Sequence, residues 1–288
     1  MGSTAKQSTI RVAVTQHEPV WLDLEGTINR TCQIIAEAAE AHAQLVVFPE
    51  CWIPGYPAWI WSRPVDFDLG VKYVENSLVI DSPQIRRIQD AAATHGVNVG
   101  LGFSERDGDS VYISQALIDD KGEIQMKRRK MKPTHMERTI FGDASGSCLA
   151  SVVQLSGGGP GGSPGFWSMT AEGCRNLSQT YAAEAGAFVL HCAAVLTETG
   201  IEAMKTKGSP IMGSPIAGSS AVIGPDGRLL KTAESGSEQL IIADLNMSDV
   251  TKTKTFADAG GHYSRPDMLW LGADPTSKPV VRIAKPDI

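Results

Sequence analysis

The sequence predicts an α/β fold, and three observations up to Glu50 predict it: an alternating segment, a helix-period stripe, and an apolar run that stops on a carboxylate. Residues 10–14, Ile-Arg-Val-Ala-Val, alternate between apolar and other side chains and read as a first strand. Ile28, Cys32, Ile35 and Ala39 recur at helical spacing, so an amphipathic helix of about three or four turns follows, with Cys32 as core filler. Leu45-Val-Val-Phe48 then reads as a buried strand running into Pro49 and Glu50. A strand, helix and strand in this order favour parallel pairing. A carboxylate just past the carboxyl end of such a strand stands where open α/β sheets place their chemistry.

The next stretch carries Trp52, Tyr56, Trp59 and Trp61, punctuated by Pro54, Gly55 and Pro57. Four aromatics in a loop either cap the core or wall an apolar pocket. Ser82-Pro83 predicts a helix start, with the hydroxyl as N-cap and proline where a missing N–H costs nothing; Ile85, Ile88 and Ala92 form its buried stripe. Residues 98–103 and 111–119 read as strands joined through Asp107-Gly108-Asp109, and Asp120-Lys-Gly122 turns the chain onward.

It turns into Arg128-Arg-Lys-Met-Lys-Pro-Thr-His-Met-Glu-Arg138, which gathers five cations, a carboxylate and an imidazole. A charge run is ordinarily a solvated face. Here Lys130 and Lys132 alternate with Met131 before Pro133, so the run reads as a strand end with one lysine facing inward. A buried ammonium must find a carboxylate or lose its proton, and Glu137 and Glu50 are the two candidates. Lys132, next to Pro133, is the lesser choice.

Beyond Asp143, residues 149–155 could form a short strand, but residues 156–165 are a glycine and proline tract without helix or strand propensity. Within it, Gly161-Gly-Ser-Pro-Gly165 matches the nucleophile elbow Gly-x-Ser-x-Gly, which uses the N–H after the serine; Pro164 has none, so the match is compositional. A helix over 169–185 and a strand over 188–195 follow, then a polar loop through Ser214 and strands at 219–223 and 240–245, the first entering the turn Gly224-Pro-Asp-Gly227. His191 reads as a satisfied core or pocket histidine, and a short helix is expected near 250–259.

The bulk properties set bounds. With 288 residues, 42% hydrophobic and 20% charged, the chain is expected to form one domain around one core, with flexible tails at 1–9 and 275–288. A net charge of −6 argues against a nucleic-acid partner, which needs a broadly basic face. Five cysteines (Cys32, Cys51, Cys148, Cys174, Cys192) show neither a disulfide framework nor metal-ligand spacing, which fits a reducing, cytoplasmic setting. The amino terminus has no apolar signal core, and no stretch approaches the ~18 apolar residues of a membrane span, so a soluble protein is expected.

Three phrases go further: Phe48-Pro-Glu-Cys-Trp-Ile-Pro-Gly-Tyr-Pro57, Arg129-Lys-Met-Lys-Pro-Thr-His-Met-Glu137 and Gly261-His-Tyr-Ser-Arg-Pro-Asp267. In this order they resemble the nitrilase branch of the carbon–nitrogen hydrolases, and within it the fungal arylacetonitrilases. The resemblance implies a four-layer αββα sandwich, a homo-oligomer onto whose neighbour the 278–288 tail packs, no cofactor and no metal. It implies a Glu, Lys, Cys triad acting on a small-molecule nitrile, with Glu50 as general base, Lys130 steadying developing negative charge and Glu137 holding Lys130. Trp52, Tyr56, Trp59 and His135 would line the substrate pocket, while His262 and Arg265 would be structural, Arg265 pairing a carboxylate. The family's strand that delivers the nucleophilic cysteine, and the helix and strand after it, have no counterpart here. A strand-turn-helix-strand unit, on the scale of ~30 residues, is missing between Leu155 and Pro160. Cys148 is the weak stand-in, placed before a strand rather than after one, and Cys51 should point to the opposite face from Glu50. The expectation is a nitrilase-like hydrolase by descent whose chain is inactive for lack of its thiol. The alternative is a non-catalytic homologue serving as an oligomer subunit or ligand-binding protein.

Overall fold

The computed structural model describes residues 9–150, 167–234 and 238–276. The chain opens as expected, with strand β1 (Thr9–Gln16), helix α1 (Leu24–Glu40) and strand β2 (Leu45–Val47). Asp23 caps α1 by accepting from the Gly26 N–H at 2.9 Å, and Ile28, Ile34, Ile35 and Ala38 are buried along one face. Helix α2 (Phe67–Glu75), capped by Asp66, has no counterpart in the sequence reading. Helix α3 (Pro83–His95) starts at the Ser82 cap with Pro83 in first position and ends on Gly96 in the left-handed region. Strands β3 (Asn98–Asp107), β4 (Ser110–Ile118) and β5 (Ile124–Arg129) form an antiparallel meander that carries the basic phrase.

After the described gap come helix α4 (Ala171–Ala185), strand β6 (Val189–His191), helix α5 (Glu198–Ala203), strands β7 (Ala221–Ile223), β8 (Leu229–Thr232) and β9 (Gln239–Asn246), and helix α6 (Ser248–Phe256). Among the described residues six strands form one sheet in the order β5-β4-β3-β2-β1-β9, with β1, β2 and β3 parallel to one another and the outer pairings antiparallel; β6, β7 and β8 form a second. Alternation along β1 sends Ala13 to one face and Val12 and Val14 to the other. On the first face α1 and α3 press Ile35, Ile85, Ile88 and Ala92 against Val46, Val99 and Leu101. Each of these fully buried aliphatic side chains stabilises the fold by about 2 kcal/mol. On the other face Val12, Val14, Val47 and Ile241 meet Cys192 and Val222 of the second sheet, whose far side is covered by Ala182 of α4. The layers are helix, sheet, sheet, helix, the four-layer sandwich that the resemblance implied.

Side chains tie the two sheets together at β1. The Ser220 hydroxyl donates to the Thr15 carbonyl at 2.9 Å and accepts from the Ala193 N–H at 2.8 Å. The Cys192 thiol donates to the Thr15 carbonyl at 3.0 Å. His191, fully buried, spans the Ser178 and Ser219 hydroxyls at 2.9 and 3.1 Å, and burial pushes its pKa down to about 4, so it is a neutral core histidine.

Several elements depart from the sequence reading. The strand expected over 188–195 stops at His191, because beyond it the Ala193 and Val195 N–H groups turn to the Ser220 hydroxyl and the His17 carbonyl instead of a neighbouring strand. The polar loop expected through Ser214 contains α5, and the expected 250–259 helix spans Ser248–Phe256. Leu149, placed in a short strand, lies in a 3-10 turn (Gly146–Ala150). The rest of that strand, the glycine and proline tract with its serine motif, the junction at Leu155 and Pro160, and the 278–288 tail fall outside the described residues. Of the expected tails, Thr9 already belongs to β1.

Candidate active site

The site forms where two strands end. Past β2 the chain continues through Phe48, whose N–H donates to the Gly100 carbonyl at 2.8 Å, to Glu50, and turns sharply at Cys51 with φ +53. Gly102 of β3 makes this possible: a Cβ there would collide with the Pro49 carbonyl and crowd the Glu50 backbone. Gly102→Ala is therefore expected to cost about 1–3 kcal/mol of stability by overpacking and to displace Glu50. Chemical denaturation measures the first, and an unchanged midpoint would refute the close approach.

On β5 alternation separates the two cations that end the strand. Arg129 turns to one face, bonding Glu105 at 2.6 Å and Asp107 at 2.8 Å over the Tyr112 ring. Lys130, fixed by its N–H to the Ile113 carbonyl at 2.7 Å, turns to the other. Its ammonium donates to Glu50 Oε1 at 3.3 Å, with Oε2 of the ion pair also 3.3 Å away, and to Glu137 at 3.0 Å (Oε2) and 3.3 Å (Oε1). Glu137 Oε2 also accepts from the Thr134 N–H at 2.7 Å, the capping arrangement of Thr-x-x-Glu at the head of the 3-10 turn His135–Thr139. Tyr56 reaches Glu137 Oε1 at 3.4 Å and accepts from the Trp61 indole at 3.2 Å, and Trp61 stacks on His135 at 5.3 Å.

The three charged groups shape one another. Burial raises the Glu50 pKa; Lys130 offsets part of the rise and the nearby Glu137 adds to it. For Lys130, desolvation works against the ammonium, but the attraction of Glu50 and Glu137 outweighs it and its pKa lies above the usual value. The lysine stays charged, and Glu50 becomes the more readily protonated carboxylate than an exposed one.

These groups floor a cavity of about 610 Å³ whose walls include Trp21, Tyr56, Trp61, Met169, Leu196 and Met212. Of the sequence-predicted residues, the structure brings together Glu50, Lys130, Glu137, Tyr56 and His135. Trp52 touches the cavity, but its indole faces α1, donating to the Thr31 hydroxyl at 2.8 Å. Trp59 is a correction: it lies outside this wall, buried edge-on against Tyr73 at 5.3 Å. Trp59 and Trp61 share a 3-10 turn (Ala58–Trp61), where three residues complete a turn, so positions two apart cannot face the same way. Trp21, Leu196 and Met212 come from distant parts of the chain and carried no local signal; Thr134 did, in its capping spacing to Glu137.

None of the five cysteines stands in this cavity as an exposed thiol. Cys51 borders it but is fully buried, hydrogen-bonded to the Ser104 hydroxyl, and held protonated by burial and the adjacent Glu50, which raise its pKa strongly. Cys192 is buried between the sheets and pushed up to about 12. Cys32 contacts the Arg87 carbonyl beside α1, and Cys174 lies on α4. Cys148 is half-buried in the turn Gly146–Ala150, outside the cavity wall. Among the described residues no group of three or more His, Cys, Asp or Glu could hold a metal ion, and no helix is long and apolar enough to cross a membrane. Arg265 pairs a carboxylate, Asp267, at 2.6 Å on the surface.

Comparison with known proteins agrees with this fold. The sequence profile described as Carbon-nitrogen hydrolase matches residues 11–166 and 162–255, two stretches that meet inside the glycine and proline tract. An arylacetonitrilase of Hypocrea virens (strain Gv29-8 / FGSC 10586) is 51% identical over 315 aligned residues, covering 97% of this chain and 96% of that protein. That aligned length exceeds the 288 residues of the whole chain, so the relative carries residues opposite which this chain has none. Among solved structures, the C. elegans NitFhit protein superposes with TM-score 0.65 at 15% identity, over 96% of this chain and 70% of that one. An amidase from Nesterenkonia sp. AN1, with the acetamide moiety of fluoroacetamide covalently added at its active-site cysteine, superposes with TM-score 0.55 at 19% identity, over 88% and 96%. At those identities the structures speak for the fold.

Proposed function

The chain belongs to the carbon–nitrogen hydrolase family, and from that premise we propose that its cavity receives a small aryl nitrile or amide and holds it without turnover. Hydrolysis of a nitrile in such a site needs a thiolate to attack the weakly electrophilic carbon, with a carboxylate taking the thiol proton. Glu50 is placed for that proton, and Lys130 for the negative charge that grows on nitrogen. Glu137 holds Lys130 charged and aimed. Loss of ammonia would leave a thioester for water to cleave to the carboxylic acid.

One observation carries the proposal: Lys130 lies within 3.3 Å of both carboxylates at the foot of an aromatic-walled cavity, while the one thiol bordering that cavity is buried and protonated. The break in the family match inside the glycine and proline tract, and the longer Hypocrea virens relative, support a missing nucleophile-bearing unit. Five free cysteines fit a cytoplasmic setting, and the exposed run Met268, Leu269, Trp270 and Leu271 fits self-association.

Purified protein incubated with phenylacetonitrile is expected to release no ammonia above the protein-free control. Turnover abolished by Cys148→Ala or Cys51→Ala would place the nucleophile there and end the proposal.

A further inference from the structure

Only three charged side chains line the cavity among the described residues: Glu50, Glu137 and Lys130. The Lys130 ammonium is engaged by both carboxylates, so no cation is left facing a ligand, and with all three groups ionised the floor carries one excess negative charge. Arg128 lies outside the wall with its Nε on the Gln115 side-chain oxygen at 2.8 Å. His135 stands exposed, stacked flat on Trp61. The walls include the rings of Trp21, Tyr56 and Trp61, and aromatic rings attract a cation that reaches their faces.

A partly enclosed site magnifies such an imbalance, because charges away from water interact through a lower effective dielectric. An anion entering would meet two carboxylates whose one counterion is already shared. A flat cation with N–H donors would meet two acceptors and aromatic walls. We propose that this cavity is a receptor for aryl-alkyl cations of the amidinium and ammonium class, and that it rejects the aryl carboxylate of the same shape. The inference rests on the cavity being the ligand site, as proposed above, and adds the sign of the ligand's charge.

Phenylacetamidinium, phenylacetamide and phenylacetate share a skeleton and a planar head and differ by one charge at each step. Titration calorimetry of the full chain at neutral pH is expected to give at least tenfold tighter binding for the amidinium than for the amide, and at least tenfold weaker binding for the carboxylate. The amidinium advantage should narrow at high salt. In Glu50→Gln that advantage should fall at least tenfold; the wild-type series stands by itself if the variant does not fold. Amide binding with the carboxylate within threefold of it, or with no preference for the amidinium, overturns the charge inference alone. Absence of binding by all three overturns the ligand-site reading as well.

Discussion

Inserting between Leu155 and Pro160 the stretch that the Hypocrea virens relative carries opposite this chain's gap is expected to turn a binding protein into a hydrolase. Members of a catalytic triad act as a unit, so supplying the absent one should raise ammonia release from phenylacetonitrile by on the order of 10⁴-fold or more. The expectation follows from what the fold already provides. Glu50 and Lys130 are delivered by strand ends and held by Gly102 and by the Ile113 carbonyl. Among the described residues the second sheet is the narrower of the two, with three strands against six, and α4 leaves Leu177 57% and Tyr181 38% exposed. An inserted strand and helix have somewhere to pack. Replacing the inserted cysteine by alanine should return ammonia release to background. A folded graft with no ammonia release would mean that the floor of the cavity is not competent, whatever its geometry.

Lys130→Met should damage the protein in a different way, through its electrostatics. Removing one member of a buried ion pair leaves the others uncompensated, typically at about 3–5 kcal/mol. Here the side chains of Lys130 and Glu50 are 29% and 22% exposed, so solvent screens part of the loss and about 2–3 kcal/mol is the expected destabilisation. The pH dependence gives the change its signature. In the wild type Lys130 has a raised pKa, so its stabilisation is complete below the usual value of 10.5 and fades as pH rises through the folded value. In the variant that contribution is gone. Glu50, already raised by burial, loses the partner that held it down, and a carboxyl with a raised folded pKa favours the folded state at low pH and ceases to as pH climbs through that value. The variant should recover stability when moved from pH 8 to pH 5. Urea midpoints at the two pH values decide it, and a loss independent of pH would remove the buried triad from the account.

The pairing of Glu50 with Lys130 is legible in the sequence because each residue follows a strand, and a strand end is a local signal: an apolar run or an alternation that stops at proline. The helix cap at Ser82 is legible for a similar reason, as a local signal of a hydroxyl followed by proline. What escapes the sequence is whatever depends on rotation or on distance along the chain. Trp59 and Trp61 are equivalent letters in a loop until a 3-10 turn sends one into the core and the other to the cavity. Gly200 looks like a loop breaker, yet it sits where a Cβ would strike the Trp21 indole and Leu196, bringing α5 against the cavity wall. Strand β8 is exposed at all four residues, so it has no buried face to impose an alternation. The Thr134-x-x-Glu137 spacing, in contrast, is written in the letters as a capping box.

That capping box divides the work between the two acids. Protonating Glu137 would surrender an acceptor that orders the backbone of its own turn, since Oε2 holds the Thr134 N–H at 2.7 Å as well as the ammonium at 3.0 Å. Among the described residues Glu50 has no such duty and holds the lysine. A proton on Glu50, whose pKa burial raises, would leave the loop undisturbed, so one acid is anchored as scaffolding while its neighbour is free of that task.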